Sequence, residues 1–283
     1  MYMEYNRVIL CGDGWGALAV YKGLQNSTFD VIVCTNDEEI KSMCKMQYQD
    51  GLEDLQGELI VFAGYKPIVS EVVLKKNICI NIHYSLLPTY RGYHSTVWAI
   101  LNDEPYLGAS IHLMNKNIDD GPIIYQYRVE NDYISSSYHY MELFNNHITS
   151  VISSVLIDYL SGKIHPKKQN KALASWVGRR TEKDCQIDFS KPIKYQKAFF
   201  RALVDPYPLP YFIHKGEKYV VIEVDFHPTC VETHIGRILN IDNEGLWVKC
   251  ADGYVIIKAI IDTTGNDIDT NRFRIGQYLN NYL

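Results

Sequence analysis

Asn81-Ile82-His83 closes an apolar run, the loop Ser85-Leu86-Leu87-Pro88 and then Arg91-Gly92 follow it, and Ile118-Asp119-Asp120-Gly121-Pro122 comes later. An amide, an imidazole and a carboxylate are thereby brought near one strand and the two loops beside it. These are the groups an acyl-transfer site requires.

On a strand, residues two apart face the same way, so Asn81 and His83 look out together while Ile80 and Ile82 face the opposite layer. A lone histidine is most often a hydrogen-bonded structural residue, and Asp119-Asp120 taken alone reads as a solvated turn. The loop between them argues for more. Gly92 permits a tight backbone and Pro88 stiffens the approach, as in a loop that seals a site. Only one of the two carboxylates needs to face inward.

The elements that must hold these groups are legible as alternating β-branched runs and helical patterns. Arg7–Cys11, Val31–Cys34, Leu59–Ala63 and Ile78–Ile82 read as strands, with helices predicted over 15–25 and 37–47 between them. Such alternation implies an α/β fold, a Rossmann-like, mostly parallel sheet with helices on both faces. Ligands of such sheets collect at the carboxyl ends of the strands, and Asn81 and His83 lie at one. A helix over 95–102, strands over 108–114 and 122–129 and a long helix over 135–162 complete a catalytic domain at 1–165. The stripe Met141, Phe144, Ile148, Val151, Val155, Tyr159 reads as core packing. A connecting segment with a helix spans 166–210. Short strands over 211–214, 218–224, 234–241, 245–250 and 254–261 then predict a small β-barrel-like, OB-like domain at 211–283.

With 283 residues, 47% of them hydrophobic, the chain can bury a large core and a smaller one. Its longest apolar runs are broken by Ser and Asp, so no membrane span is expected. Met1-Tyr2-Met3-Glu4-Tyr5-Asn6 lacks the basic head of a leader, and the expected location is cytoplasmic. Seven cysteines without a two-residue spacing read as reduced, mostly buried thiols. A formal net charge of -5 argues against nucleic acid as a partner.

The run from Asn81 through Gln126 resembles the folate-dependent formyltransferases, with their Asn-x-His, Ser-Leu-Leu-Pro, Arg-Gly loop and an Asp-x-Gly turn some three dozen residues after the His. Asp119 rather than Asp120 then takes the catalytic position. Gly178-Arg179-Arg180-Thr181, Ile187-Asp188-Phe189 and Arg201 to Pro208 are similar to the second half of the sugar-nucleotide branch, notably the aminoarabinose-nucleotide enzyme. Tyr93 stands where that enzyme has an arginine. Tyr93-His94-Ser95-Thr96-Val97-Trp98 looks closer to enzymes acting on dTDP-linked 3- or 4-amino dideoxy sugars for surface polysaccharide (O-antigen or capsule) synthesis.

The resemblance implies formyl transfer from N10-formyltetrahydrofolate, with no metal. His83 would act as general base and proton carrier, Asn81 as oxyanion donor and Asp119 as the partner that orients His83. The pterin would lie against Phe62, Ala63, Gly64 and Tyr65 and the loop Asn115, Lys116, Asn117, Ile118 and Asp119. For the sugar nucleotide the candidates are Arg91, Tyr93, His94, Trp98, Arg179, Arg180 and Arg201. A homodimer is compatible with the branch. Three other readings compete. Gly12-Asp13-Gly14-Trp15-Gly16 invites a nicotinamide oxidoreductase, although the third glycine of the usual fingerprint is misplaced. His83, His94 and His112 invite a zinc hydrolase, although their spacing matches no ligand motif. Methionyl-tRNA formyltransferase would share the catalytic residues, but the acids from Glu223 to Asp269 leave no basic stripe for a polyanion.

Overall fold

In the computed structural model, residues 5–280 are described; Met1–Glu4 of the leader reading lie outside them. The first strands and helices alternate as the β-branched runs dictate: β1 (Arg7–Cys11), α1 (Gly14–Leu24), β2 (Asp30–Cys34), α2 (Glu38–Met43), β3 (Leu59–Ala63), α3 (Glu71–Lys76) and β4 (Ile78–His83). Then come β5 (Arg91–Gly92), α4 (Ser95–Leu101), β6 (Tyr106–Leu113), β7 (Ile123–Glu130), α5 (Ser137–Leu160) and β8 (Trp176–Val177). Six of these strands form one sheet in the order β2-β1-β3-β4-β6-β7. Pairing is parallel from β2 to β4 and antiparallel from β4 to β7.

Strand β3 lies between β1 and β4, and every one of its residues is buried. That explains its unbroken Leu-Ile-Val-Phe-Ala, since a strand covered on both faces has no polar side to alternate with. Each such side chain contributes about 1.5–3 kcal/mol by leaving water. The chain steps outward from β1 to β2 and returns to the far side of β1 as β3, so the sheet switches direction at Gly12. A Cβ there would lie 1.8 Å from the Ala63 carbonyl oxygen, which requires glycine.

By Cα packing the chain divides into two compact units. The first holds 1–99, 105–131 and 139–179, and the second holds 100–104, 132–138 and 180–283, so the expected connecting segment is divided near Arg179. In the second unit α6 (Ile193–Ala202) precedes β9 (Tyr211–His214), β10 (Glu217–Pro228), β11 (Ile238–Asp242), β12 (Gly245–Cys250) and β13 (Gly253–Ile261). These strands make an antiparallel sheet ordered β11-β12-β13-β10-β9. Phe212, Tyr219 and Phe273 pack ring on ring at one end of it.

Differences from the sequence reading are local. Helix α3 and the two-residue strands β5 and β8 carry too little periodic pattern to be legible, and α2 stops at Met43 because Gln47 bridges to Val33 instead. Of the seven free cysteines, Cys11, Cys79, Cys185 and Cys250 are buried and Cys230 is exposed. Among the described residues, no helix is long and apolar enough to cross a membrane.

Candidate active site

Asn81 and His83 lie at the carboxyl end of β4, and the antiparallel register sets Asn81 directly opposite His112 on β6. Directly opposed residues share a face. The Asn81 amide nitrogen accordingly lies 3.2 Å from His112 Nε2, and it also donates to Asp119 Oδ1 at 3.3 Å.

Asp119 reaches this point because its turn adopts a left-handed backbone, φ 50°, which aspartate tolerates better than most side chains. Its Oδ2 accepts the Gly92 N–H at 2.8 Å and faces His83 Nδ1 at 3.5 Å, and its Oδ1 lies 3.5 Å from His112 Nε2. One carboxylate therefore stands between two imidazoles. Burial opposes its ionisation, but the neighbouring imidazoles of His112 and His83 and the Gly92 amide outweigh that and hold it at about 2.

His83 is buried, and burial pushes its imidazole below the ordinary 6.5. The Asp119 charge and the Tyr90 carbonyl pull the other way, and His112 and Arg91 add to the lowering. Its Nε2 lies 2.8 Å from the Tyr90 carbonyl oxygen, which can only accept, so Nε2 carries the proton of the neutral ring. Nδ1 is then the basic nitrogen, and Asp119 stands ready to stabilise a proton there.

The loop from Ser85 to Gly92 is fastened from below. Ser110 Oγ donates to Ser85 O and accepts from Leu87 N–H, while Gln126 donates to Leu87 O and to Ser110 Oγ. Strand β5 continues the loop and pairs with β8.

Arg91 takes a different post from the expected phosphate contact. Its side chain is 3% exposed, its Nη1 pairs with Asp120 at 2.8 Å, and its Nε and Nη2 bond Gln169 at 3.2 and 2.6 Å. Gln169 in turn donates to the Asp119 and Gly121 carbonyls. The arginine holds the Asp119 turn in place, with its nitrogens engaged by Asp120 and Gln169. Asp120, the second carboxylate, is the one that pairs with it.

The remaining candidates are dispersed. Tyr93 is exposed, with its hydroxyl 3.5 Å from Lys66 O; His94 has a φ of 55°; Trp98 donates its indole N–H to Gly178 O. Arg179 is exposed in the first unit, whereas Arg180 and Arg201 belong to the second and bond Asp184 O and Ser135 O there. In the expected folate stretch, Phe62 and Ala63 are buried in the sheet, with Phe62 edge-on to Tyr65, and can only back a ligand. Gly64, half-buried Tyr65 and the loop from Asn115 through Lys116 and Asn117 to exposed Ile118 remain accessible.

At the glycine turn, Gly14 N–H donates to Asp37 Oδ2, while Asp13 Oδ1 accepts from Thr35 and Asn36. Two carboxylates thus occupy the loop where a dinucleotide-binding turn would cradle pyrophosphate. Among the described residues, no three His, Cys, Asp or Glu side chains are grouped to hold a metal ion.

A formyl transferase model matches residues 19–156, and a formyl transferase C-terminal domain model matches 179–277. The chain belongs to the formyl transferase family. A methionyl-tRNA formyltransferase of Clostridium acetobutylicum is 27% identical over 213 residues, 74% of this chain and 68% of that protein. A 4-N formyltransferase from Francisella tularensis superposes with a TM-score of 0.64 at 25% identity, over 76% of this chain and 95% of that one. Two further structures, at 16 and 19% identity, are similar in fold. HypX from Aquifex aeolicus, in complex with tetrahydrofolic acid, has a TM-score of 0.66 over 95% of this chain, which spans about half of HypX (47%). The N-formyltransferase from Helicobacter canadensis, in complex with folinic acid and dTDP-3-aminofucose, has a TM-score of 0.69 over 90% of this chain and 99% of that one.

Sequence reasoning weighed His112 only as a metal ligand and missed its place beside Asn81 and Asp119. Its signal was its place on the strand leading into the Asp119 turn, legible only once β6 is known to pair with β4 in that register.

Proposed function

We propose that this formyltransferase moves the formyl group of N10-formyltetrahydrofolate to the amino group of a nucleotide-linked amino deoxysugar, such as a dTDP-3- or 4-amino dideoxyhexose destined for surface polysaccharide. The chemistry rests on Asn81, His83 and Asp119, which converge at the end of β4. The amine attacks the formyl carbon, its proton goes to His83 Nδ1, and Asp119 stabilises the imidazolium. Asn81 donates an N–H to the oxyanion of the tetrahedral intermediate, a contribution of about 3 kcal/mol for a prepositioned donor. Collapse expels the folate nitrogen, which takes the proton from His83. No group on the protein needs to be formylated.

The observation that favours a sugar over a tRNA is the surface of the second unit. Glu223, Asp225, Glu232, Asp242, Glu244, Asp252, Asp267 and Asp269 are all exposed there. A polyanion would meet repulsion where it needs cations. The ligand of the Helicobacter canadensis enzyme supports the sugar reading, and the curated relatives support tRNA as the second reading.

The deciding experiment incubates the enzyme with N10-formyltetrahydrofolate and a panel of dTDP-, UDP- and GDP-linked amino sugars beside initiator methionyl-tRNA, and follows product mass. A mass gain of one formyl group on a nucleotide sugar is expected. Formylation of the tRNA alone would overturn the sugar assignment and leave the chemistry standing.

A further inference from the structure

His112 is fully buried one strand away from the reacting groups, and the mechanism above gives it no task. Its contacts give it one. Nδ1 lies 2.8 Å from the Leu113 carbonyl oxygen, a group that only accepts, whereas the acceptor facing Nε2, Asp119 Oδ1, is at 3.5 Å, so in the neutral ring Nδ1 carries the proton and Nε2 is left bare. A bare Nε2 at 3.2 Å from Asn81 can only accept, which requires the amide to present its NH2 end and not its oxygen. Asp119 Oδ1, at 3.3 Å from the same amide nitrogen, makes the same demand.

We propose that His112 is a positioning residue that keeps the donor end of the Asn81 amide turned toward the forming oxyanion, an inference that rests on the formyl-transfer reading. The two amide hydrogens then have unequal tasks. The one on His112 is the anchor. The other, on Asp119, is the one that becomes available: as the amine proton arrives on His83 Nδ1, the imidazolium satisfies Asp119, and the Asn81 N–H swings to the oxyanion. Proton transfer and oxyanion binding are coupled through one carboxylate. Without an acceptor at position 112 the amide can turn its carbonyl toward the developing negative charge, which repels it.

Three variants and one spectrum test this. His112→Leu removes the acceptor and should lower kcat about 10–100-fold, the usual effect of losing a residue that orients a reacting group, with KM for both substrates within about twofold. His112→Gln restores an acceptor and should recover much of that loss. In the double variant Asn81→Ala/His112→Leu, turnover should equal that of Asn81→Ala alone, because His112 acts through Asn81. Wild-type kcat in His112→Leu, or a double variant worse by the product of the two losses, would overturn the proposal. Imidazole 15N NMR of the unliganded wild-type enzyme supplies a readout independent of turnover and of how the variants fold. The Nδ1–H tautomer of His112 is expected, and the Nε2–H tautomer or a doubly protonated ring would overturn it. An enzyme that formylates no amine yet shows the expected tautomer would sink the functional reading and leave the orientation of Asn81 intact.

Discussion

Two imidazoles share one carboxylate, and each ring is fixed through its other nitrogen by a main-chain carbonyl, His83 by Tyr90 and His112 by Leu113. That arrangement decides which nitrogen of His83 can receive a proton. His83→Ala should therefore lower kcat by about 10²–10⁴, the range for a lost general base, and Asn81→Ala by about 10²–10³, the range for a lost oxyanion donor. Near wild-type turnover in either protein, folded by circular dichroism, would contradict the assignment. The pH profile follows from the lowered His83. Its neutral, basic form persists below 6.5, so the acid limb of kcat/KM, corrected for titration of the acceptor amine, should have its midpoint below that value. Asp119→Asn removes a charge that raises His83 and should move the midpoint further to acid. On stability the signs are separate. Asp119, held at about 2, contributes stability present above 3.8 and lost as pH falls toward 2, whereas His83, lowered by burial, costs stability as pH falls through 6.5 and the unfolded chain takes up the proton. Asn81, His83 and Asp119 stood out in the sequence because their types and spacing are uncommon together, and the structure brings the three side chains into contact. His112 did not stand out, since a buried histidine on a strand is unremarkable until its cross-strand partner is known.

Among the elements, the turn after β6 matters most, because it converts a strand end into a place for Asp119. Gly121 sits so close to β6 that an added Cβ would lie 1.6 Å from the Leu113 carbonyl oxygen and 2.6 Å from its carbon. Gly121→Ala should thus displace the turn, lowering activity and costing about 1–3 kcal/mol in stability. Arg91 offers the sharper contrast. Removing it leaves the Asp120 carboxylate to the Asn117 amide and takes the donor from the Gln169 amide oxygen, and loss of one partner of a buried ion pair costs about 3–5 kcal/mol. Denaturant unfolding of Arg91→Ala should show a loss in that range; a raised KM for the sugar nucleotide with unchanged stability would instead restore the phosphate contact expected from sequence. The sequence carried no signal of this pairing with Asp120. An Arg-Gly loop announces a cation, but only the packing of 166–179 beneath it shows that the cation is spoken for. The long strands and α5 were legible from periodicity, whereas β5 and β8, two residues each, exist only through each other.

At the scale of the whole chain, the two units carry different information. The first holds Asn81, His83 and Asp119, and the second exposes carboxylates on and between the strands of its antiparallel sheet and lysines on and just before α6. If the acceptor is a sugar nucleotide, kcat/KM should change by less than about tenfold between 50 and 200 mM salt, because few phosphates are engaged; a protein making many phosphate contacts loses about 10³–10⁵ in affinity over that range. Steady-state rates at several salt concentrations distinguish the two. The acceptor was not legible because the residues expected to face it, such as Tyr93 and Trp98, are of types that recur everywhere. Arg91, Asp120 and Gln169 hold the Asp119 turn through contacts within the protein, Arg91 to Asp120 and Gln169, and Gln169 to the Asp119 and Gly121 carbonyls. If Tyr93 and Trp98 face the acceptor, as the sequence reading expects, exchanging them should leave this fastening of the Asp119 turn in place.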